Sequence, residues 1–173
     1  MAALLFVLDA LLTLLVIAFL LRLVLPLVRA DLRNPLGQAV LRITNPLVMP
    51  LRRLLGPAGR VDLASVAALL IVQLASTTLL RLVAGAGLAG APLLAAAARD
   101  LVHTLLQFYF VVVLLYALMS WVAPAGGPAA HLLARLSEPL LRPVRRFVPP
   151  IGGLDLSALL VLIGIQALQI LLR

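Results

Sequence analysis

The sequence predicts an all-α integral membrane protein of four transmembrane helices in two tandem repeats, each with short interfacial amphipathic helices between its two spans. Three observations carry this reading. The chain of 173 residues is 64% hydrophobic and 12% charged, with a mean hydropathy of +1.20, outside the usual range of soluble domains. Long apolar runs stand at residues 2–21, 63–80, 101–122 and 156–172. Finally, a proline- and arginine-rich stretch occurs twice, as NPLVMPLRRLLGPAGRVDLA at 45–64 and EPLLRPVRRFVPPIGGLDLS at 138–157. A shift of 93 positions lays Pro46, Pro50, Arg52, Arg53, Pro57, Gly59 and Asp62 on Pro139, Pro143, Arg145, Arg146, Pro150, Gly152 and Asp155. So many special residue types matching in order mark an internal repeat.

A helix needs about 20 apolar residues to cross about 30 Å of hydrocarbon, so the first three runs fit and the last is at the short end. The first run lacks a basic start and a small-residue cleavage site before its polar flank, and reads as a retained span rather than a cleaved leader. Without cysteine the chain has neither disulfides nor thiolate metal sites. The spans divide it into a first repeat at 1–84, a small-residue linker at 85–100 and a second repeat at 101–173.

The net charge of +8 is carried by arginine alone, and its placement sets the topology. Seven arginines lie between Arg22 and Arg60 and four between Arg135 and Arg146, whereas the middle connection holds only Arg81 and Arg99. Short positive loops stay in the cytoplasm, so both repeat loops are expected there, with the two termini and the middle connection on the outer side of the membrane. In so apolar a chain the arginines meet anionic lipid headgroups rather than nucleic acid.

The loop from Leu27 to Arg60 is too apolar for a solvated linker and too interrupted to cross. Asn34-Pro35 and Asn45-Pro46 each resemble a cap followed by proline in a first turn, which predicts two short helices. In the second, Leu47, Leu51, Leu54 and Leu55 gather on one face with Arg52 and Arg53 towards the other, the pattern of a helix lying in the interface. Leu140, Val144, Phe147 and Val148 repeat that face opposite Arg145 and Arg146, and Pro50 and Pro143 should bend both helices. The Gly-x-x-Asp endings, with Gly59 and Gly152 in the reversal, put Asp62 and Asp155 where an N-cap would accept backbone N–H groups of the next span. Each aspartate can also hold an arginine of its own loop in an ion pair.

Asp9 interrupts the first span about 20 Å from Arg22 by helical rise. Gln73 and Gln166 stand eleven residues beyond Asp62 and Asp155, roughly 16 Å into the membrane. Aligning Pro26 with Pro124 places Asp9 over Gln107. An unpartnered buried polar side chain costs about 1–3 kcal/mol, so these four are expected to face inward as a hydrogen-bonded layer that glues helices or lines a path.

No nucleophile, acid–base pair or metal set appears. Ser65, Ser76, Thr77 and Thr78 have no nearby histidine, and His103 and His131 lack partners at ligand spacing, so neither an enzyme nor a cofactor is expected. Tyr116 and Trp121 fit an aromatic belt.

At its doubled Pro/Arg-Arg/Gly-x-x-Asp loops, each followed by a membrane helix, the chain resembles the YggT family, related to the YlmG proteins of Gram-positive bacteria, cyanobacteria and plastids, and specifically its two-copy proteobacterial form. The resemblance implies a small integral membrane protein linked to osmotic-stress tolerance, to envelope or division processes and, in plastids, to nucleoid distribution and complex assembly. Two functional expectations follow. The arginine-bearing helices bind anionic lipid or a partner protein, making the chain a scaffold; or the two halves, with homo-oligomerisation, surround a path for an ion, proton or osmolyte lined by Asp9, Gln73, Gln107 and Gln166.

Overall fold

The computed structural model describes residues 2–28, 30, 35–55, 62–87, 90–122, 127–146 and 156–172. Among them all regular structure is helical: α1 (Ala2–Leu27), α2 (Pro35–Leu55), α3 (Leu63–Val83), α4 (Gly90–Val122), α5 (Pro128–Arg145) and α6 (Leu156–Leu171). Three stretches are long and apolar enough to cross a bilayer, Ala3–Leu27, Leu63–Val83 and Gly90–Ser120. Against the expected four, Leu156–Leu171 has 16 residues and falls short. It would cover about 24 Å at helical rise, less than the hydrocarbon thickness.

The chain divides into two compact units, Met1–Leu27 with Asp31–Thr104, and Val28–Ala30 with Leu105–Arg173. The boundary therefore falls inside α4. Of the stretch read as a linker, residues 90–100 are helical and open α4. Alanine-rich sequence favours that outcome, since alanine has the highest helix propensity. The stop between α3 and α4 is local: Gly85 takes φ 70°, the Ala86 N–H reaches the Arg81 carbonyl at 2.8 Å and the Gly85 N–H reaches that of Leu82 at 3.1 Å. This paired closure needs a left-handed residue, which glycine supplies without a Cβ penalty.

In the first unit α1, α2 and α3 pack on one another. The expected pair of short helices is instead one helix of 21 residues with Pro46 and Pro50 inside it. Each proline removes one backbone donor, but packing holds the helix through them. Gly37, Val40, Thr44 and Val48 form its buried stripe, at spacings that keep one helical face inward. Leu47 and Leu51 are half-buried, while Leu54 is 81% exposed and Leu55 also faces outward. With Leu36 and Ile43, also exposed, Leu54 forms an outward apolar flank beside the buried stripe.

In the second unit Val113 of α4, Leu141 of α5 and Ala158, Val161 and Ile165 of α6 form the core, with Leu140 and Val144 packed against it. Pro139 and Pro143 likewise lie inside the single helix α5. Helices α2 and α5 both begin at a proline, and α3 and α6 at a leucine, each pair 93 positions apart. A further pair at that offset shares an interaction: Thr44 Oγ1 donates to the Val40 carbonyl at 2.6 Å, and Ser137 Oγ to the Leu133 carbonyl at 2.7 Å.

Candidate functional site

Two polar assemblies interrupt the apolar first unit. The first is centred on Arg22, 5% exposed near the end of α1. Its guanidinium donates to Ser65 Oγ of α3 at 3.1 Å, and to Thr44 Oγ1 and Asn45 Oδ1 of α2 at 2.7 Å each. One side chain thus ties three helices together. The Ser65 hydroxyl in turn donates a hydrogen bond to Asp62 Oδ2 at 2.7 Å, and Arg52 donates to the same carboxylate oxygen. The run from Arg22 through Ser65 and Asp62 to Arg52 joins a buried cation to the surface of α2. Among the residues named for this region by sequence, Arg52 and Asp62 are brought together; Arg53 is exposed beside them, and Pro46 and Pro50 lie within the same helix.

Asp62 occupies the N-cap position of α3, where its carbonyl accepts the Ser65 and Val66 N–H groups at 2.9 and 3.1 Å. Its side chain, however, makes no capping hydrogen bond; the Ser65 hydroxyl and Arg52 guanidinium engage it instead. Burial, the largest influence, would push the Asp62 carboxyl up, but hydrogen bonds from Ser65 and Arg52 and the charges of Arg52 and Arg22 outweigh it and hold the group below its ordinary value.

In the second unit Arg145, the counterpart of Arg52, takes other partners. It donates to Tyr116 Oη at 2.7 Å, lies 5.7 Å from the centroid of that ring and pairs with Glu138 at 3.3 Å. Arg146 is exposed. Gly59, Gly152 and Asp155 lie outside the described residues, as do Phe147 and Val148 of the expected apolar face.

The second assembly is a cavity of about 60 Å³ within the first unit, lined among others by Asp9 and Thr13 of α1, Gln73 and Ser76 of α3, and Asp100 and Thr104 of α4. Gln73 is 5% exposed and donates through Nε2 to Thr77 Oγ1 at 3.1 Å, and Thr77 donates to Asp100 Oδ2 at 2.9 Å. Gln73 Oε1 is buried without a hydrogen-bond partner. Asp9 and Gln73, singled out by sequence, thus share one cavity. The other two separate: Gln107, though exposed, accepts from Gln169 Nε2 at 3.0 Å, and Gln166 is exposed, so that of the four residues expected to face inward Gln73 alone is buried and Asp9, Gln107 and Gln166 are exposed. On α6 the buried face runs through Ser157, Ala158, Val161, Ile165 and Gln169, and Gln166 falls outside that stripe. Among the described residues no group of three or more His, Cys, Asp or Glu side chains could hold a metal ion.

Sequence reasoning missed Arg22, Thr44, Asn45, Asp100 and Gln169. Arg22 carried a usable signal, as an arginine followed by further apolar residues before Pro26 rather than by loop. Asp100 was hidden by its place at the end of an apparent linker.

The profile of the CCB3/YggT family matches residues 1–83 and 95–173. An uncharacterised protein of Pseudomonas aeruginosa is 36% identical over 98% of this chain and 87% of its own length. An uncharacterised protein from the proC 3′ region of Vibrio alginolyticus is 34% identical over 93% of this chain and 88% of its own. The uncharacterised protein YggT of Escherichia coli strain K12 is 34% identical over 94% of this chain and 85% of its own. No solved structure matches the chain at a significant level.

Two outcomes are expected of the Arg22 assembly. Replacing Arg22 with leucine strands the hydroxyls and amide that it serves, and should lower unfolding stability by about 2–3 kcal/mol, measured by thermal unfolding in detergent. Arg22→Lys should recover only part of this, because an ammonium lacks the planar fork that reaches three acceptors. Because folding lowers the Asp62 pKa, the stability it contributes is present above the unfolded value of about 3.9 and is lost as pH falls through the folded value. An Asp62→Asn variant should therefore lose less stability than the natural chain when unfolding is compared at pH 5 and at about pH 3.

Proposed function

This chain belongs to the CCB3/YggT family, and on that premise we propose that it is a non-enzymatic scaffold of the bacterial inner membrane that binds anionic lipid or a partner protein through its arginine-bearing helices. The observation that carries this reading is the mounting of α2. Its inner face is locked to α1 and α3 through Arg22, its flank turns Leu36, Ile43 and Leu54 outward, and Arg42, Arg52 and Arg53 are exposed. Such a helix rests its leucines among acyl chains and its guanidinium groups among phosphates. The Arg52–Asp62 pair, with side chains 49% and 32% exposed, is worth little as an ion pair and is better understood as holding Arg52 in place.

In this reading α5 does the same in the second repeat through Arg145 and Arg146, α6 completes a fourth crossing with local thinning of the bilayer, and both repeat loops face the cytoplasm. The two stretches matched by the family profile support the tandem arrangement. A role in envelope organisation and osmotic-stress tolerance, as a monomer or homo-oligomer, accords with the family. The scaffold is favoured over a path lined by four polar residues because Gln107 is engaged by Gln169 and Gln166 is turned outward.

Each arginine near an anionic surface contributes about 1 kcal/mol, so Arg52→Ala with Arg53→Ala should weaken cardiolipin retention by about tenfold to thirtyfold at low salt, read by native mass spectrometry, and leave phosphatidylcholine retention unchanged. Equal retention of cardiolipin would refute the assignment. Reporters fused to the two termini should both be active in the periplasm; termini on opposite sides would mean that α6 does not cross.

A further inference from the structure

In a bilayer an apolar helix face needs no protein cover, but an amide does, because acyl chains offer its donor and acceptor nothing. Gln166 is exposed on α6 and has no hydrogen-bond partner among the described residues. The exposed Gln107, by contrast, is engaged by Gln169. Gln166 stands ten residues after Leu156 and five before Leu171, about 15 Å and about 8 Å from the ends of a helix that is itself shorter than the hydrocarbon thickness. Neither end brings headgroups to it.

Its neighbours on that face form a seam. Leu156, Leu159, Ile163, Gln166 and Ile170 follow one another at spacings of three, four, three and four, and all are exposed, Ile163 and Ile170 at 57% and 63%. This is the heptad spacing by which two helices interlock side by side. It is separate from the stripe through Ala158, Val161, Ile165 and Gln169 that α6 buries within its own unit. No charged side chain lies on α6 to repel a second helix.

One occupant matches a lone amide in such a seam. A carboxamide carries both donor and acceptor, so it is its own complement. Copies of one chain share one orientation in the membrane, and two α6 helices related by a twofold axis along the membrane normal run parallel, each seam residue facing its own counterpart. Each Gln166 N–H then donates to the carbonyl of the other. The Gln169–Gln107 bond is the same pairing of amides made within one chain.

We propose that the outer face of α6 is a homodimer interface, with Leu156, Leu159, Ile163 and Ile170 interlocked and Gln166 paired with its own copy. The proposal rests on α6 crossing the bilayer, as read above. The single polar layer fixes the register of the two helices.

The chain has no cysteine, so full-length variants with one cysteine each can be oxidised with copper phenanthroline in native membranes. Ile163→Cys and Ile170→Cys should cross-link to a product of twice the chain's mass, at several times the yield of Leu168→Cys and Gly164→Cys. Those two controls are also exposed but lie off the seam, and a Cβ at Gly164 meets nothing within 4 Å. Gln166→Leu should raise the dimer dissociation constant by about tenfold in detergent, measured by sedimentation equilibrium. Because Gln166 has no partner within its own chain, the melting temperature of the dilute monomer should not fall in that variant, which separates lost pairing from lost folding. Four results would overturn the proposal: equal cross-linking at seam and control positions, which marks random collision; no cross-link at any position, which leaves the seam to lipid; a product of some other mass, which assigns the face to a different protein; or dissociation unchanged by Gln166→Leu. A C-terminal reporter active in the cytoplasm would remove the crossing and the dimer with it, whereas absent cross-links with a periplasmic C-terminus would sink the dimer alone.

Discussion

A guanidinium removed from water inside an apolar helix is the constraint on which the first unit depends. Leaving Arg22 without partners would be costly, and its donors can be met only if α2 and α3 come to it. Ser65 therefore sits at the start of α3, and Thr44 and Asn45 sit midway along α2. Because Ser65 also contacts Asp62, and Asp62 holds Arg52, the buried charge orients a surface arginine through two intermediates. Dispersion packing alone, among interchangeable leucines in lipid, would not determine where α2 lies along the other two helices.

The two halves keep one set of positions and put them to different uses. Thr44 and Ser137 make the same back-bond one turn earlier, yet the neighbouring Asn45 serves Arg22, whereas Glu138 at the matching place serves Arg145. Arg52 is held by an aspartate at the following helix; Arg145 is held by an aromatic hydroxyl and ring from α4. Arg145, under Tyr116, is 32% exposed against 49% for Arg52, so the two helices present chemically distinct surfaces.

Much of this was legible in the residues. Long apolar runs located three of the four expected spans, and the spacing of Pro46, Arg52 and Asp62 against Pro139, Arg145 and Asp155 marked a helical segment before α3 and before α6 and anticipated the Arg52–Asp62 pairing. Prolines misled: local rules end a helix near Asn45-Pro46, but packing of Val40, Thr44 and Val48 carries α2 through. Depth along the helix located Asp9 and Gln73 near one another, because one-dimensional rise is readable from sequence. Rotation about the axis is not readable in a helix apolar on all sides, which is why Gln169 rather than Gln166 turned out to be buried.

The reach of α4 carries a geometric consequence. Its 33 residues extend about 50 Å, whereas hydrocarbon is about 30 Å thick. Measured back from Val122, the thickness is used up close to Asp100, and the turns from Gly90 onward are surplus. Either they stand clear of the lipid as a stalk carrying the alanine-rich segment, or the rod leans steeply enough to submerge them. An upright rod puts Asp100 at the membrane–water boundary; a leaning one carries it below the headgroups. The inclination of a single helix thus sets the depth at which the Thr77–Asp100 hydrogen bond lies.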